Sequence, residues 1–196
     1  MKLIKKAILP ILILSIALTG CGASADSSSL ALSKKGVLTQ TIVEEWDQEQ
    51  YDKNELQQQI ETDIQQYGQD IELNSIKVKD AAVTVKMTYQ NLETYAQYNQ
   101  VVLFKGTVAQ CQAAGYLLEG EFKDTQGEDV NRTQVINIGD ACTVLVFQEP
   151  VNVKVPEKIL YYSSSLELVS GKEVKASLPE GSTGYLLSNP VYIIYK

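Results

Sequence analysis

The clearest hydrophobic pattern in the chain is a helical one. Leu56, Ile60 and Ile64 recur at every fourth position among glutamines and charged residues, which is the spacing of one apolar stripe along a helix. Asp52 precedes this stripe as a capping residue, with a glutamate three positions later, and Gly68 follows it as a typical helix stop. The sequence therefore predicts a helix that packs through one face onto another layer.

Alternating apolar and polar residues predict strands on both sides of this helix. Residues 37–46 alternate before it, and residues 71–79 and 81–89 alternate after it. Asp80 marks the turn between the last two segments. Together these segments predict antiparallel strands around the first helix.

Two shorter helices are predicted next, each from its capping residue. Asn91 is placed to cap a helix that runs to Tyr98. Thr107 is placed to cap a third helix, which Gly115 ends. The predicted helices therefore all lie before residue 116.

From residue 116 onward the hydrophobic period is two. Residues 141–147 are apolar on both faces, which predicts a central strand covered on both sides. Turn residues at Gln126-Gly127, Gly139-Asp140 and Ser170-Gly171-Lys172 suit hairpins. We predict an α+β domain, mostly antiparallel β-sheet, with two or three helices in the N-terminal half of the mature domain. The strands predicted in this second half cover 116–122, 133–138, 141–148, 151–155, 159–163, 166–169, 173–178 and 191–195.

The first 21 residues have the layout of a secretory signal. A start with three lysines is followed by an apolar stretch over residues 7–18, which Pro10 interrupts. That stretch is shorter than the roughly 20 residues that a membrane-spanning helix needs. The tetrapeptide Leu18-Thr19-Gly20-Cys21 resembles a lipobox, the cleavage and lipidation site of bacterial lipoprotein precursors. The alternative is an ordinary signal peptide followed by a fortuitous cysteine.

The lipobox resemblance implies that the mature protein is anchored to the membrane. In that family the cysteine receives a diacylglyceryl thioether and the chain is cut before it, which here places the cut between Gly20 and Cys21. Two acyl chains anchor a protein stably where one chain is marginal. We therefore expect a signal peptide over 1–20, a flexible polar tether over 21–35 and one domain over 36–196, on the extracytoplasmic face of the cell membrane.

Three stretches of the mature chain are similar to uncharacterised lipoproteins of low-GC Gram-positive bacteria. They are residues 51–56 (YDKNEL), 103–107 (LFKGT) and 153–161 (VKVPEKILY). These stretches carry no catalytic or binding residue of a known family. The resemblance therefore supports the predicted location at the membrane and implies no mechanism.

Charge and composition exclude several classes of function. The chain has 17 basic and 24 acidic residues, and since residues 1–20 hold three lysines and no acid, the predicted mature chain has a net charge of −10. Such a chain is a poor candidate for binding nucleic acid, where basic residues supply most of the affinity. The sequence also has no histidine, which excludes Ser-His-Asp and Cys-His catalysis and histidine zinc sites. We expect no cofactor and no metal site.

Two cysteines remain in the mature chain after Cys21, namely Cys111 and Cys142. An exported protein can join them in a disulfide, which would contribute about 3–4 kcal/mol of stability. The interpretation that we favour is two unpaired, buried thiols, because both residues lie in apolar segments.

One acidic cluster invites a catalytic interpretation. Glu44, Glu45 and Asp47 surround Trp46, the single tryptophan, as a carboxylate pair and a sugar-stacking ring would in a glycoside hydrolase. We favour a strand end with solvated acids, because acids adjacent in sequence do not face each other across a substrate.

Two further motifs favour plain turns over chemistry. Residues 123–129 hold three carboxylates around a glycine, but their spacing does not fit an EF-hand calcium loop, so we predict a hairpin turn. Serines occur at 163–165 and within 181–184, but neither motif forms a Gly-x-Ser-x-Gly elbow and no histidine is present to activate them. We therefore predict loop serines.

The eleven tyrosines are more than a core of this size requires. Tyrosine suits recognition because it offers a large rigid area with a polar tip, so Tyr95, Tyr98 and Tyr162 are predicted as a binding surface. Tyrosine is equally favoured as a half-buried strand residue.

The function that these features favour is a non-enzymatic, lipid-anchored protein that binds an envelope protein or glycan. One alternative is a cell-wall hydrolase that uses carboxylates. Another is the solute-binding component of an importer, although such proteins are usually two-lobed and this chain predicts one strand-rich domain.

Overall fold

The computed structural model describes residues 27–182 and 184–196. Within these residues the chain forms four α-helices and thirteen strands, and the strands make two mostly antiparallel sheets. The predicted α+β class is therefore confirmed. The lipobox, the predicted cleavage site and Thr183 lie outside the described residues.

The elements follow one another along the chain in this order. The helices are α1 (Lys53–Ile64), α2 (Leu92–Asn99), α3 (Val108–Ala113) and α4 (Arg132–Asn137). The first seven strands are β1 (Ser29–Leu32), β2 (Leu38–Glu45), β3 (Ile71–Lys79), β4 (Ala82–Tyr89), β5 (Leu103–Gly106), β6 (Phe122–Asp124) and β7 (Asp129–Val130). The remaining strands are β8 (Thr143–Phe147), β9 (Asn152–Lys154), β10 (Ile159–Ser163), β11 (Glu167–Ser170), β12 (Glu173–Lys175) and β13 (Val191–Tyr195).

The two sheets differ in size and connectivity. The large sheet has the strand order β11-β12-β9-β1-β2-β4-β3, in which β1 and β9 are parallel and the other neighbours are antiparallel. The small sheet has the order β5-β8-β13-β10-β6-β7 and is antiparallel throughout. Strands from both halves of the chain enter the large sheet, which is consistent with one domain.

The small sheet is buried on both faces. Leu145 and Phe147 of β8 belong to the core that this sheet shares with the large sheet. Val144 and Val146, which point the other way, join Cys111 of α3 in a second core beneath the helices. Because successive side chains of a strand alternate between faces, β8 serves both cores, as its two-sided apolar pattern predicted.

The caps of the first three helices are those that the sequence predicted. The Asp52 carboxylate accepts from the amides of Asn54 and Glu55 at the start of α1, which ends in a 3-10 turn before Gly68 at φ 59°. Asn91 accepts from the Thr94 amide to begin α2. Thr107 begins α3 through a reciprocal capping box with its third helical residue. These local hydrogen bonds explain why the boundaries could be predicted.

The strand predicted over 133–138 is wrong, because this segment is the helix α4. Asn131 accepts from the Thr133 amide, and its own amide donates to the Gln134 side chain at 3.0 Å, which forms a capping box. Val135 is then fully buried against the small sheet. The apolar pattern of this short segment is compatible with a strand or with a short helix. The capping box at Asn131 stabilises the helix. The turn at Gly139-Asp140 consequently continues α4 as a 3-10 turn instead of forming a hairpin.

The strand predicted over 116–122 is also wrong apart from its last residue. The chain turns at Leu118 and Gly120, both of which have positive φ. The Arg132 guanidinium on α4 donates to the carbonyls of Leu117 and Leu118, at 2.7 and 3.0 Å. A residue distant in sequence therefore holds this loop, and no local pattern could indicate it. The strand predicted over 173–178 likewise ends early, at Lys175.

The tether predicted over 21–35 is wrong for its last part. Residues 29–32 form β1, which lies inside the large sheet between β2 and β9. Leu30 and Leu32 are buried, while Ser28 accepts from the Val43 amide. A strand of four residues with two leucines is too short to be recognised from its pattern beside a serine-rich stretch. Its conformation is fixed by hydrogen bonding to β2 and β9.

Candidate functional site

The tyrosines predicted as a binding surface belong to the core. Tyr95 and Tyr162 are 0% and 4% exposed. Tyr98 is half-buried, and its hydroxyl is buried without a hydrogen-bond partner among the described residues. The predicted recognition surface is therefore wrong. These side chains fill the space between the layers, which a large amphipathic ring does well.

Tyr95 instead belongs to a cluster of four buried polar side chains. Its hydroxyl donates to the Glu149 carboxylate, at 2.9 Å from Oε1 and 3.0 Å from Oε2. The Gln40 amide donates to the Tyr95 hydroxyl at 3.2 Å, and the Tyr89 hydroxyl donates to Gln40 Oε1 at 2.8 Å. The cluster joins β2, β4, α2 and the loop after β8.

Glu149 is 1% exposed, and its burial raises the pKa of its carboxyl to about 7, while the hydrogen bond from Tyr95 acts in the opposite direction. Burial and the nearby Glu149 carboxylate raise the pKa of Tyr95 well above its usual value. A small cavity of about 10 Å³, which is about the space that one water molecule needs, adjoins this pair. Because this space is too small for a larger ligand, we interpret the cluster as a structural element of the core.

The acidic cluster at the end of β2 does not form a carboxylate pair across a cleft. Burial and the neighbouring Glu45 raise the pKa of Glu44 to about 7. Asp47 is exposed and accepts from the amide of Glu49. Trp46 packs partly against the core and lies 5.4 Å, centre to centre, from the ring of Tyr51. This geometry supports the strand-end interpretation.

The carboxylates of residues 123–129 serve a turn. Asp124 accepts from the amides of Gln126 and Glu128, at 2.8 and 3.0 Å, between β6 and β7. In the described residues no group of three histidine, cysteine or acidic side chains is placed to hold a metal ion. The predicted hairpin is confirmed.

The two remaining cysteines are free and buried. Cys111 of α3 and Cys142 before β8 lie in the core beneath the helices, and no disulfide joins them. Burial raises the pKa of the Cys111 thiol to about 11. Both thiols therefore act as small apolar side chains, which is the interpretation that the sequence favoured.

A groove of about 560 Å³ is a concave feature of ligand size among the described residues. It opens where β6 begins, β10 ends and β13 begins, so three neighbouring strands of the small sheet form its floor. Four loop segments form its walls. They are 119–121, 163–166, 176–179 and 187–190.

Hydrogen bonds to the main chain hold these walls in place. The Ser164 amide donates to the Glu121 carbonyl at 2.8 Å, and the buried Ser163 hydroxyl accepts from the Tyr192 amide at 2.9 Å. The Leu187 amide donates to the Gln148 carbonyl, and the Gln148 side chain donates back to the Leu187 carbonyl at 2.6 Å. The groove is therefore built on fixed backbone, although its walls are loops.

The groove presents mainly uncharged polar groups. Ser165, Ser177, Ser188 and Asn189 are exposed along it. The Ser163 hydroxyl is engaged with the backbone, and Ser164 and Ser165 line the groove beside it. The sequence indicated loop serines here, but only the fold brings 163–165 beside the residues near 188.

Comparison of the chain with models of known protein families, with curated proteins and with solved structures gives no match in any of the three. Within the described residues, no helix is both long enough and apolar enough to cross a membrane. A function for the groove can therefore be argued only from its own geometry and lining residues.

Proposed function

We propose that this protein is a lipid-anchored, extracytoplasmic binding protein that holds a ligand of the cell envelope in the groove without catalysing a reaction. The groove carries the proposal, because its volume of about 560 Å³ lies within the roughly 300–1,000 Å³ typical of small-molecule sites. The anchor rests on the Leu18-Thr19-Gly20-Cys21 tetrapeptide.

Binding without catalysis follows from the chemistry of the lining residues. A serine nucleophile needs a neighbouring base, and the described residues that line the groove include no lysine or cysteine, while the whole chain has no histidine. Glu119 and Glu121 are exposed on the same wall, so they do not face each other across a substrate. The geometry therefore favours binding over the hydrolase alternative.

The position of β1 limits where such a protein can work. Ser27 already contacts the domain, because its hydroxyl accepts from the Asn152 side chain at 3.1 Å. Cys21 lies six positions earlier, and six residues span at most roughly 20–22 Å even when fully extended. A chain anchored at Cys21 would therefore keep its groove within the envelope layer next to the membrane.

Cys21→Ala tests the anchor. In cell fractions we expect the wild-type chain in the membrane, with its N-terminal cysteine carrying the mass of a diacylglyceryl thioether. The variant should be released or remain uncleaved, whereas Ser27→Ala should behave as the wild type. An unaltered fraction and mass for the Cys21 variant would exclude the lipobox.

Ser165→Trp tests the groove, because the indole would obstruct it from one wall. We expect the purified full-length protein to be retained by isolated cell-wall sacculi and the variant to lose this retention. Ser170→Trp is the matched control, since Ser170 is also an exposed serine and lies at the end of β11, outside the groove. Equal retention of both variants would place any binding elsewhere.

A further inference from the structure

We infer that the groove takes a neutral, hydroxyl-rich ligand, that is, a short uncharged saccharide of the envelope. This inference rests on the proposed binding function and adds the chemical class of the ligand. It depends on three properties of the lining: its hydrogen-bonding groups, its charge and its apolar faces.

The hydrogen-bonding groups of the lining match sugar hydroxyls. Serine hydroxyls both donate and accept, and an asparagine side chain offers a donor and an acceptor side by side. Asn189 and Ser188 are exposed on one wall, and Ser164 and Ser165 lie on another. A saccharide, whose hydroxyls also both donate and accept, can satisfy these groups from both sides of the groove.

The charge of the lining excludes anionic ligands. Glu119 and Glu121 are its charged side chains, and the described lining contains no lysine or arginine. A phosphate-rich polymer or a free carboxylate would be repelled by these glutamates and by the acidic chain as a whole. Carboxylates remain good acceptors for the hydroxyls of an uncharged sugar.

The apolar part of the lining is modest and lacks an exposed aromatic ring. Pro179 is exposed, while Pro190 and Leu187 are half-buried, so these side chains offer small faces to the C–H surface of a sugar ring. Tyr192 is 5% exposed and packs on Phe122 inside the core, so it cannot stack on a ligand. Without a stacking platform we expect weak binding, with a Kd of about 0.1–5 mM.

The test compares three tetrasaccharides of similar size with the full lipidated chain in neutral phosphatidylcholine vesicles. They are the tetramer of N-acetylglucosamine, its de-N-acetylated cationic form and an anionic tetramer of galacturonate. In 0.5 M salt, which screens the attraction between the glutamates and a cationic sugar, calorimetry should detect the N-acetylated tetramer alone. The Kd of that tetramer should change less than about twofold between 0.05 and 0.5 M salt, because screening does not act on an uncharged ligand.

Asn189→Ala should weaken this binding about tenfold, and Ser165→Trp should abolish it. Asn54→Ala, an exposed asparagine on the remote helix α1, is the matched control and should leave it unchanged. Thermal unfolding confirms that all three variants are folded. Preferential binding of the cationic or anionic tetramer in 0.5 M salt, or equal binding by the Asn189 and Asn54 variants, would overturn the inference.

The two proposals fail separately. If sacculi retain the wild type and not the Ser165→Trp protein, but no neutral saccharide binds, the binding function stands and the ligand class is wrong. If sacculi retain both proteins equally, or neither, the binding function of the groove is itself wrong.

Discussion

Replacement of Glu149 by glutamine tests whether the buried cluster titrates near neutral pH. The folded protein raises the pKa of this carboxyl from about 4.5 to about 7, chiefly through burial. Between these values the native state binds more protons than the unfolded chain, so the free energy of unfolding falls as the pH rises through this window. Below pH 4.5 the Glu149 carboxyl is protonated in both the native and the unfolded state, so it no longer lowers the free energy of unfolding.

The magnitude follows from the same two values. At about 1.36 kcal/mol per pKa unit, the difference amounts to about 3 kcal/mol of stability lost between pH 4.5 and 7. A glutamine at position 149 keeps an oxygen that accepts a hydrogen bond from Tyr95, but its side chain cannot ionise. Any cost of placing its amide in the cluster is the same at every pH, so the comparison rests on the pH dependence and not on the absolute stability.

The assay is denaturant unfolding between pH 5 and 8, followed by the fluorescence of Trp46, the single tryptophan. The wild type should lose about 2.5 kcal/mol more between pH 5 and 8 than Glu149→Gln, because a small part of the loss has already occurred at pH 5. Tyr89 and Tyr95, which face the carboxyl, have raised pKa values and do not ionise there. Glu72→Gln is the control, because Glu72 is an exposed carboxylate on β3 outside the buried cluster, so its replacement should leave the wild-type profile unchanged. Parallel pH profiles of the wild type and Glu149→Gln would refute the reasoning.

Three further predictions concern the core. Leu30→Ala should lower the free energy of unfolding by about 2–5 kcal/mol in denaturant titrations, because β1 is a buried strand; a change below about 0.5 kcal/mol would contradict its place in the sheet. Tyr98→Phe should leave the Tm unchanged or raise it, since the hydroxyl that it removes has no partner, and a clear drop would reveal a hydrogen bond there. A thiol reagent should modify Cys111 and Cys142 only after unfolding, whereas rapid modification of the native protein would contradict their burial.

Local signals account for the parts of the fold that could be predicted. Asp52 and Asn91 bond to amides within their own helix turns, so the caps are visible in a few adjacent residues. The β3–β4 hairpin turns at Asp80, which adopts a positive φ, and its strands match the predicted bounds to within one residue. The two-sided pattern of 141–147 placed β8 at the centre because each face needs its own apolar cover.

Short segments were predicted less well, since their conformation depends on distant partners. β1 has four residues and becomes a strand through pairing with β2 and β9. The loop before Phe122 is held by Arg132, a residue of α4. Such a segment is too short for its hydrophobic period to distinguish strand, turn and helix. Its long-range hydrogen bonds cannot be inferred from the neighbouring residues in the sequence.

The sequence by itself determined the fold class, the acidic charge, the lack of histidine and the predicted address at Cys21, because each is a property of composition or of adjacent residues. Only the tertiary structure decided the roles of the polar side chains. It buried Tyr95 against Glu149, although tyrosine on a helix is compatible with either core or surface. It also brought the serines of 163–165 beside Asn189 to form the groove. Burial and juxtaposition depend on which strands pair, and pairing joins residues that are far apart in the chain.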